Sequence, residues 1–336
     1  MATDREIRAM EKKRQKEEIQ KEKELNRSLI PMSKQTRIDT GIMGLQEQDS
    51  VFYLGHWKYL KIYKFQNRDF TDKKRESLIK VLSSITMNRV RITSFRRLSG
   101  NSKILFLSVY VMASGYADAK TEFDTFEKDA EEMISRALGL PLSIVSINDA
   151  VMMTQLNSTG QMKKFDMSSM SQKDSLKTYL FPGIEAKPDG FLFLPEVQKY
   201  VYTFMGTQFP TDLNYPYEGL LDMPCSLYSS IDFQVMTEEE SEMFNLSLEQ
   251  KYNLKLSGEK RRNINMTYLV GLIGESETDK EKQRQKMFTR FNDEEAILCP
   301  CAGDEEQVYQ SICSLGLIDY HAMRNSNADV ICRLLL

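Results

Sequence analysis

Histidine is nearly missing from these 336 residues: His56 and His321 are the only two, beside a single tryptophan, Trp57. Histidine is the usual general base near neutral pH, so its scarcity leaves little room for acid–base catalysis built on imidazole. His56 precedes a predicted strand and reads as an ordinary sheet-end histidine. The chain also lacks G-x-x-x-x-G-K-[ST], the string that wraps backbone amides around phosphates and sets a lysine on their oxygens. Residues 271–274 have no lysine behind them until Lys280, and residues 99–103 lack the second glycine. G-x-G-x-x-G and G-x-S-x-G are missing too, which removes the dinucleotide fingerprint and the nucleophile elbow. Neither a catalytic residue set nor a cofactor is expected.

Cysteine is sparse and odd in number. Cys225, Cys299, Cys301, Cys313 and Cys332 are scattered through a long chain, the usage of reduced thiols rather than of a disulfide framework. Four of them, with His321, offer donors of the kind zinc takes. The spacing is C-x-C followed by eleven residues to Cys313, without paired C-x-x-C knuckles, so unligated thiols and no metal are expected. The longest apolar stretch, residues 104–113, is broken by Ser108 and falls well short of the ~20 residues that span a bilayer. The start, MATDREIRAMEKKRQKEEIQ, lacks the apolar core of a secretory signal. A cytoplasmic protein is expected, reaching at most the inner face of a membrane. Its net charge of -3 and pI near 5.7 argue against a dedicated nucleic-acid binder.

A β-α-β-β-α-β order is present. Residues 57–65 alternate Trp57, Tyr59, Lys61 and Tyr63 with Lys58, Leu60, Ile62 and Lys64, the period of two that marks a strand. A helix over 72–85 carries Leu78, Leu82 and Ile85 on one stripe. Strands over 89–98 and 104–112 are joined by a turn at 99–102. A helix over 117–138 repeats Phe123, Phe126, Ala130, Met133 and Ala137 and stops at Gly139, followed by a strand over 142–147. The fold class is α+β, with a ferredoxin-like βαββαβ module first. Residues 149–156 add one or two helical turns.

The expected organisation is a charged helix and linker over 1–50, the ferredoxin-like domain over 51–157, a linker over 158–180, a second α+β module over 181–257, and a helical arm with C-terminal helices over 258–336. In residues 4–27 acidic and basic side chains alternate, so a solvated helix is expected there, and 31–49 read as linker. The second module holds a hairpin (191–194 and 200–206), a lead-in over 220–224, a strand over 227–235, and a helix opened by Thr237 and Glu240 in capping-box spacing. Ile264, Tyr268 and Leu272 recur four apart, which predicts a helix. Residues 279–290 and 304–315 predict two more.

Two sets of side chains stand out as contact residues. Arg89, Arg91 and Arg97 share one face of the second strand, as a nucleic-acid surface would require, although Asp118, Glu122 and Asp124 offer salt-bridge partners and the RNA-binding consensus is missing. Trp57, Tyr59, Tyr200, Tyr202 and Phe209 are aromatics of the kind enriched at protein interfaces. The stretch FLFLPEVQKYVYTFMGTQFPTDL (191–213), with Phe209-Pro210 where a Tyr-Pro is usual, is followed by the strand SLYSSIDFQV and the helix from Thr237. With the first module, this resembles the amino-terminal region of conjugative type IV secretion ATPases of the TraC and TrbE type, over about residues 51–290. Members of that family continue into a RecA-like domain with Walker motifs, and none of those residues has a counterpart here.

The resemblance implies a docking role: a non-catalytic assembly or adaptor component of a bacterial conjugative transfer apparatus. Its partners would be ATPase or membrane-channel subunits, or a second copy of the chain. The alternatives are a nucleic-acid-binding accessory of DNA transfer and the amino-terminal half of a split transfer ATPase.

Overall fold

Residues 58–65 carry Tyr59, Tyr63 and Phe65 on one face and Leu60 and Ile62 on the other, and a strand so composed is stable only where both its faces are covered. A computed structural model places it that way. The structure describes residues 4–66, 71–86, 88–97, 102–167, 175–209, 225–252, 263–274, 276–293, 296–320 and 322–335. The fold is mixed α+β around one large antiparallel sheet.

Its strands are β1 (Ile30–Pro31), β2 (Gly44–Gln46), β3 (Val51–Tyr53), β4 (Lys58–Phe65), β5 (Arg89–Arg97), β6 (Ser102–Met112), β7 (Leu142–Ile144), β8 (Glu185–Lys187), β9 (Phe191–Leu194), β10 (Lys199–Gln208), β11 (Ser226–Val235), β12 (Ile264–Gly274), β13 (Ile297–Pro300) and β14 (Arg324–Ser326). The main path runs β1-β2-β3-β4-β6-β5-β11-β12-β10-β9-β8, with β7 on β4, β13 on β10 and β14 on β12. The two sequence modules therefore share a single sheet. They join where β5 pairs with β11, from Leu227 opposite Arg96 to Phe233 opposite Val90.

Helices cover both faces, giving three layers. On one face lie α3 (Asp72–Ile85), α4 (Tyr116–Ala130), α8 (Glu277–Asp293) and α10 (Ala328–Leu334). Leu78, Phe123, Phe126, Met287, Phe291, Ile331 and Leu334 pack there with Tyr59, Tyr63, Ile92 and Tyr268. On the other lie α2 (Lys34–Thr40), α5 (Ile147–Thr159), α6 (Leu176–Leu180) and α9 (Glu305–Cys313), with Val151, Leu180, Tyr309 and Ile312 against Leu60, Phe95, Phe106 and Tyr228. The α1 helix (Asp4–Leu25) and α7 (Glu238–Tyr252) complete the described helices.

Several local expectations match. The helix over 72–85 is present as α3, and α4 runs on through a π-helical turn, Glu131–Arg136, to Gly139 at φ 63°. The Thr237 hydroxyl accepts from the Glu240 amide at 3.1 Å while Glu240 accepts from the Thr237 amide at 2.8 Å, a complete capping box. Most of the turn at 99–102 and the lead-in at 220–224 lie outside the described residues.

Three expectations are corrected. Residues 264–274 form a central strand, not a helix, flanked by β11 and β10. The stretch 31–49 is not a plain linker, because Ser33 caps α2, Gly41 ends it at φ 75°, and β2 follows. Trp57 does not begin the strand; it stands in the turn before β4.

The C-terminal residues tie the two faces together. Leu315 and Leu317 belong to one core and Val330, Ile331, Cys332, Leu334 and Leu335 to the other, with β14 at the flank of β12 between them.

Candidate functional site

A row of polar side chains crosses the middle of the sheet. Ser108 on β6 stands opposite Arg91 on β5, Arg91 opposite Asp232 on β11, and Asp232 opposite Thr267 on β12. All four are buried, and burying polar groups is tolerable only where partners meet them. The Arg91 guanidinium donates to Asp232 from Nε (3.1 Å) and Nη2 (2.8 Å), and to the Ser311 carbonyl (3.1 Å) and hydroxyl (3.0 Å) from Nη1. The Ser108 hydroxyl donates to the Leu315 carbonyl at 2.6 Å, and the Ala322 amide donates to Thr267 Oγ1 at 3.1 Å. The row thus grips the segment that follows α9.

Beside it the charges concentrate. Arg89 donates to both oxygens of Asp319, at 2.6 and 3.0 Å, and its Nε lies 2.9 Å from Asp232 Oδ1 at an angle that makes a charge contact rather than a hydrogen bond. Arg91 Nη2 reaches Asp319 at 3.1 Å, and Lys58 Nζ reaches it at 3.0 Å. Burial pulls the pKa of Arg89 down, but the carboxylates of Asp232 and Asp319 outweigh it and the net direction is up. The Tyr110 ring lies 4.0 Å from the Arg89 guanidinium carbon, a cation–π contact. Burial pushes the Tyr110 hydroxyl up to about 12, so it stays neutral and adds no negative charge. Among the described residues three cations (Lys58, Arg89, Arg91) therefore face two carboxylates (Asp232, Asp319).

Two strained loops border this cluster. Gly55, His56 and Trp57 are consecutively left-handed, at φ 76°, 51° and 62°. The turn is closed by Leu54 N–H to the Lys58 carbonyl (2.9 Å) and Lys58 N–H to the Gly55 carbonyl (3.0 Å). Across the cluster, Leu315 has φ 57° and Gly316 φ 92°, with the Tyr110 hydroxyl donating to the Gly316 carbonyl at 3.2 Å. Left-handed backbone costs a non-glycine residue roughly 1–2 kcal/mol, and such strain gathers at working surfaces. The Lys58–Asp319 pair bridges the two loops.

The hairpin carrying the first loop also roots helix α1. Tyr53 and Tyr59 pair across β3 and β4 with ring centroids 4.9 Å apart; Tyr53 donates to Glu22, and Tyr59 donates to Asn26 at 2.6 Å. Leu25 packs over Gly115. From Met10 to Gln20 every side chain of α1 is exposed. At 1.5 Å per residue this 22-residue helix is about 33 Å long, an arm held at one end.

The arginines, weighed in the sequence as a nucleic-acid surface against charge pairing, make charge pairs and hydrogen bonds inside the protein. Arg91 is fully buried and Arg89 nearly so, both bound to Asp232 and Asp319 rather than to Asp118, Glu122 or Asp124. Arg97 is part-buried, with Nη2 on the Leu156 carbonyl (3.2 Å) and Asn157 Oδ1 (2.9 Å), where the last turn of α5 needs donors. Among the aromatics, Tyr59 and Tyr202 are buried, and Tyr200 is half-buried against Phe191 and Phe193. Phe209 packs against Gly206 and, edge-on, against Tyr268. His56 is exposed and Trp57 is half-buried, as Tyr200 and Phe209 are.

The cysteines are free. Burial pushes the thiols of Cys225 up to about 11 and of Cys301 and Cys332 up to about 12, so they are protonated at neutral pH. Among the described residues no three His, Cys, Asp or Glu side chains are placed to hold a metal ion; His321 lies outside those residues. No described helix is long and apolar enough to cross a membrane.

Sequence reasoning missed Asp232, Asp319 and Lys58. A signal existed for one: Asp232 is the sole charged residue of SLYSSIDFQV, and a lone carboxylate in a buried strand demands a cation. No known protein family matches the chain, and no curated protein matches it.

Proposed function

We propose that this chain works by protein contact, as a non-catalytic assembly component of a bacterial conjugative transfer apparatus at the cytoplasmic face, in the manner of the amino-terminal docking region of its ATPase. Its partners on this reading are ATPase or channel subunits. The order β7-β4-β6-β5, all antiparallel, with α3 and α4 on one face, supports the ferredoxin-like reading of the first module. The hairpin β9–β10, followed by β11 and α7, supports the resemblance in the second. A fold alone does not decide function, so the weight falls on the surface.

The observation that carries the reading is the joint between arm and turn. The exposed helix α1 and the strained Gly55-His56-Trp57 tip are fastened to one hairpin by Tyr53 and Tyr59. A rigidly rooted arm beside a fixed aromatic tip loses little freedom on binding, which favours protein association. The test is co-purification from cells carrying a complete transfer system. The full chain is expected to bring down an ATPase or channel subunit, and a Tyr53→Phe, Tyr59→Phe double variant to bring down less. Recovery of the intact chain alone from such cells would overturn the reading.

A further inference from the structure

Among the described residues the charge count at the sheet end is unbalanced. Lys58, Arg89 and Arg91 carry three positive charges against two on Asp232 and Asp319, and Tyr110 is neutral. Arg91 and Asp232 are sealed from solvent, whereas the side chains of Asp319 and Lys58 keep 18% and 26% of their exposure. The surplus charge therefore meets water at Lys58. An uncompensated charge that is mostly buried is costly, and one further anion at this edge removes the cost. A monoanion brings the group to neutrality. A phosphate dianion overshoots and leaves a buried negative charge.

The Lys58 amine is anchored on Asp319 at 3.0 Å and retains two more N–H donors for an incoming oxygen. Its neighbours Gly55, His56 and Trp57 are locked in left-handed backbone, and Trp57 is the only tryptophan in the chain.

We propose that Lys58 and the Gly55-His56-Trp57 turn receive one carboxylate side chain from an acidic segment of a partner protein, with Asp319, itself fixed by Arg89, holding the lysine in place. The inference rests on the docking reading above and names the chemistry of what docks. Charge-assisted hydrogen bonds of this kind are short and strong, and the aromatic turn supplies the apolar contact beside them.

Trp57 makes the test direct, because all tryptophan fluorescence of the full chain arises at the site. The probes are a capped Gly-Asp-Phe-Gly peptide, its Gly-Asn-Phe-Gly counterpart, acetate and inorganic phosphate, each titrated at constant ionic strength. A saturable change in emission is expected with the aspartyl peptide. The asparaginyl peptide should bind at least about tenfold more weakly, the factor that loss of one such contact brings, and acetate should also bind more weakly because it lacks the apolar contact. Lys58→Met should remove the aspartyl preference, and Lys58→Arg should keep it.

Equal responses to the two peptides would overturn the proposal, and this comparison needs no variant to fold. Tighter binding of phosphate than of the aspartyl peptide would also overturn it, by assigning the site to a phosphate-bearing ligand. An unchanged preference in Lys58→Met would do the same. If the peptides fail while co-purification persists, docking stands without this contact; if co-purification fails while the aspartyl preference holds, the transfer assignment alone falls.

Discussion

Replacing Asp232 with alanine tests the central clamp most directly. Asp232 is buried, accepts two hydrogen bonds from Arg91 and lies 2.9 Å from Arg89 Nε. Without it, three cations share the single carboxylate of Asp319. Removing one partner of a buried ion pair costs about 3–5 kcal/mol, mostly from the charge left behind. At ~2.1 cal/mol/K per residue, 336 residues unfold with about 0.7 kcal/mol/K of entropy, so the midpoint should fall by about 4–7 °C. Differential scanning calorimetry reads this, with a single transition expected because one sheet runs through both modules.

The double variant Arg91→Met, Asp232→Leu removes both charges together and should lose less than Asp232→Ala alone. The same clamp holds Ser311, Leu315 and Ala322 over the sheet, so the single variant should also be cut sooner by protease near them. A midpoint drop below about 1.5 °C for Asp232→Ala, roughly 1 kcal/mol on this scale, would refute the reasoning.

Three further outcomes follow from single positions. Gly316 and Gly303 share a left-handed backbone, φ 92° and 91°, but a Cβ at Gly316 would lie 2.1 Å from the Tyr110 hydroxyl while none lies within 4 Å at Gly303. Gly316→Ala should therefore cost about 1–3 kcal/mol more than Gly303→Ala in urea unfolding, and equal costs would show that Tyr110 simply swings aside. His56→Gly should stabilise the chain by roughly 1 kcal/mol by relieving left-handed strain, and a loss of stability would mean that the imidazole is needed locally. Asp49 is held below the usual carboxylate range by hydrogen bonds from Tyr116 and Lys120. Its folded pKa is depressed, so its contribution is present above the ordinary value near ~4 and is lost as the pH falls through the folded one. Asp49→Asn should flatten the acid limb of a stability–pH curve, and an unchanged slope would count against the pairing.

Period-two alternation and capping residues act within a few residues of the chain, which is why the strand–helix order from 58 to 144, the Thr237 capping box and the Gly139 stop were legible in the sequence. Residues 264–274 were not. Ile264, Tyr268 and Leu272 are four apart, and a spacing of four fits one face of a helix and one face of a strand equally well. The tie is broken by burial on both faces between β11 and β10, a property of the assembled sheet.

The arginines divide in the same way. Alternation put Arg89 and Arg91 on one face from the sequence alone, and charge pairing was the better reading than a nucleic-acid surface, but with Asp118, Glu122 and Asp124 as the partners in view. Their partners lie 141 residues away at Asp232 and 228 residues from Arg91 at Asp319. No local pattern encodes such a pairing, because register between distant strands is set when the faces are buried and a one-residue slip would turn every side chain over. The sequence by itself determined that a charged strand, an aromatic hairpin and a polar amino-terminal helix exist. Only the tertiary structure decided that the charges close inward as a clamp, because low-dielectric burial makes each of them require a partner wherever the fold brings one.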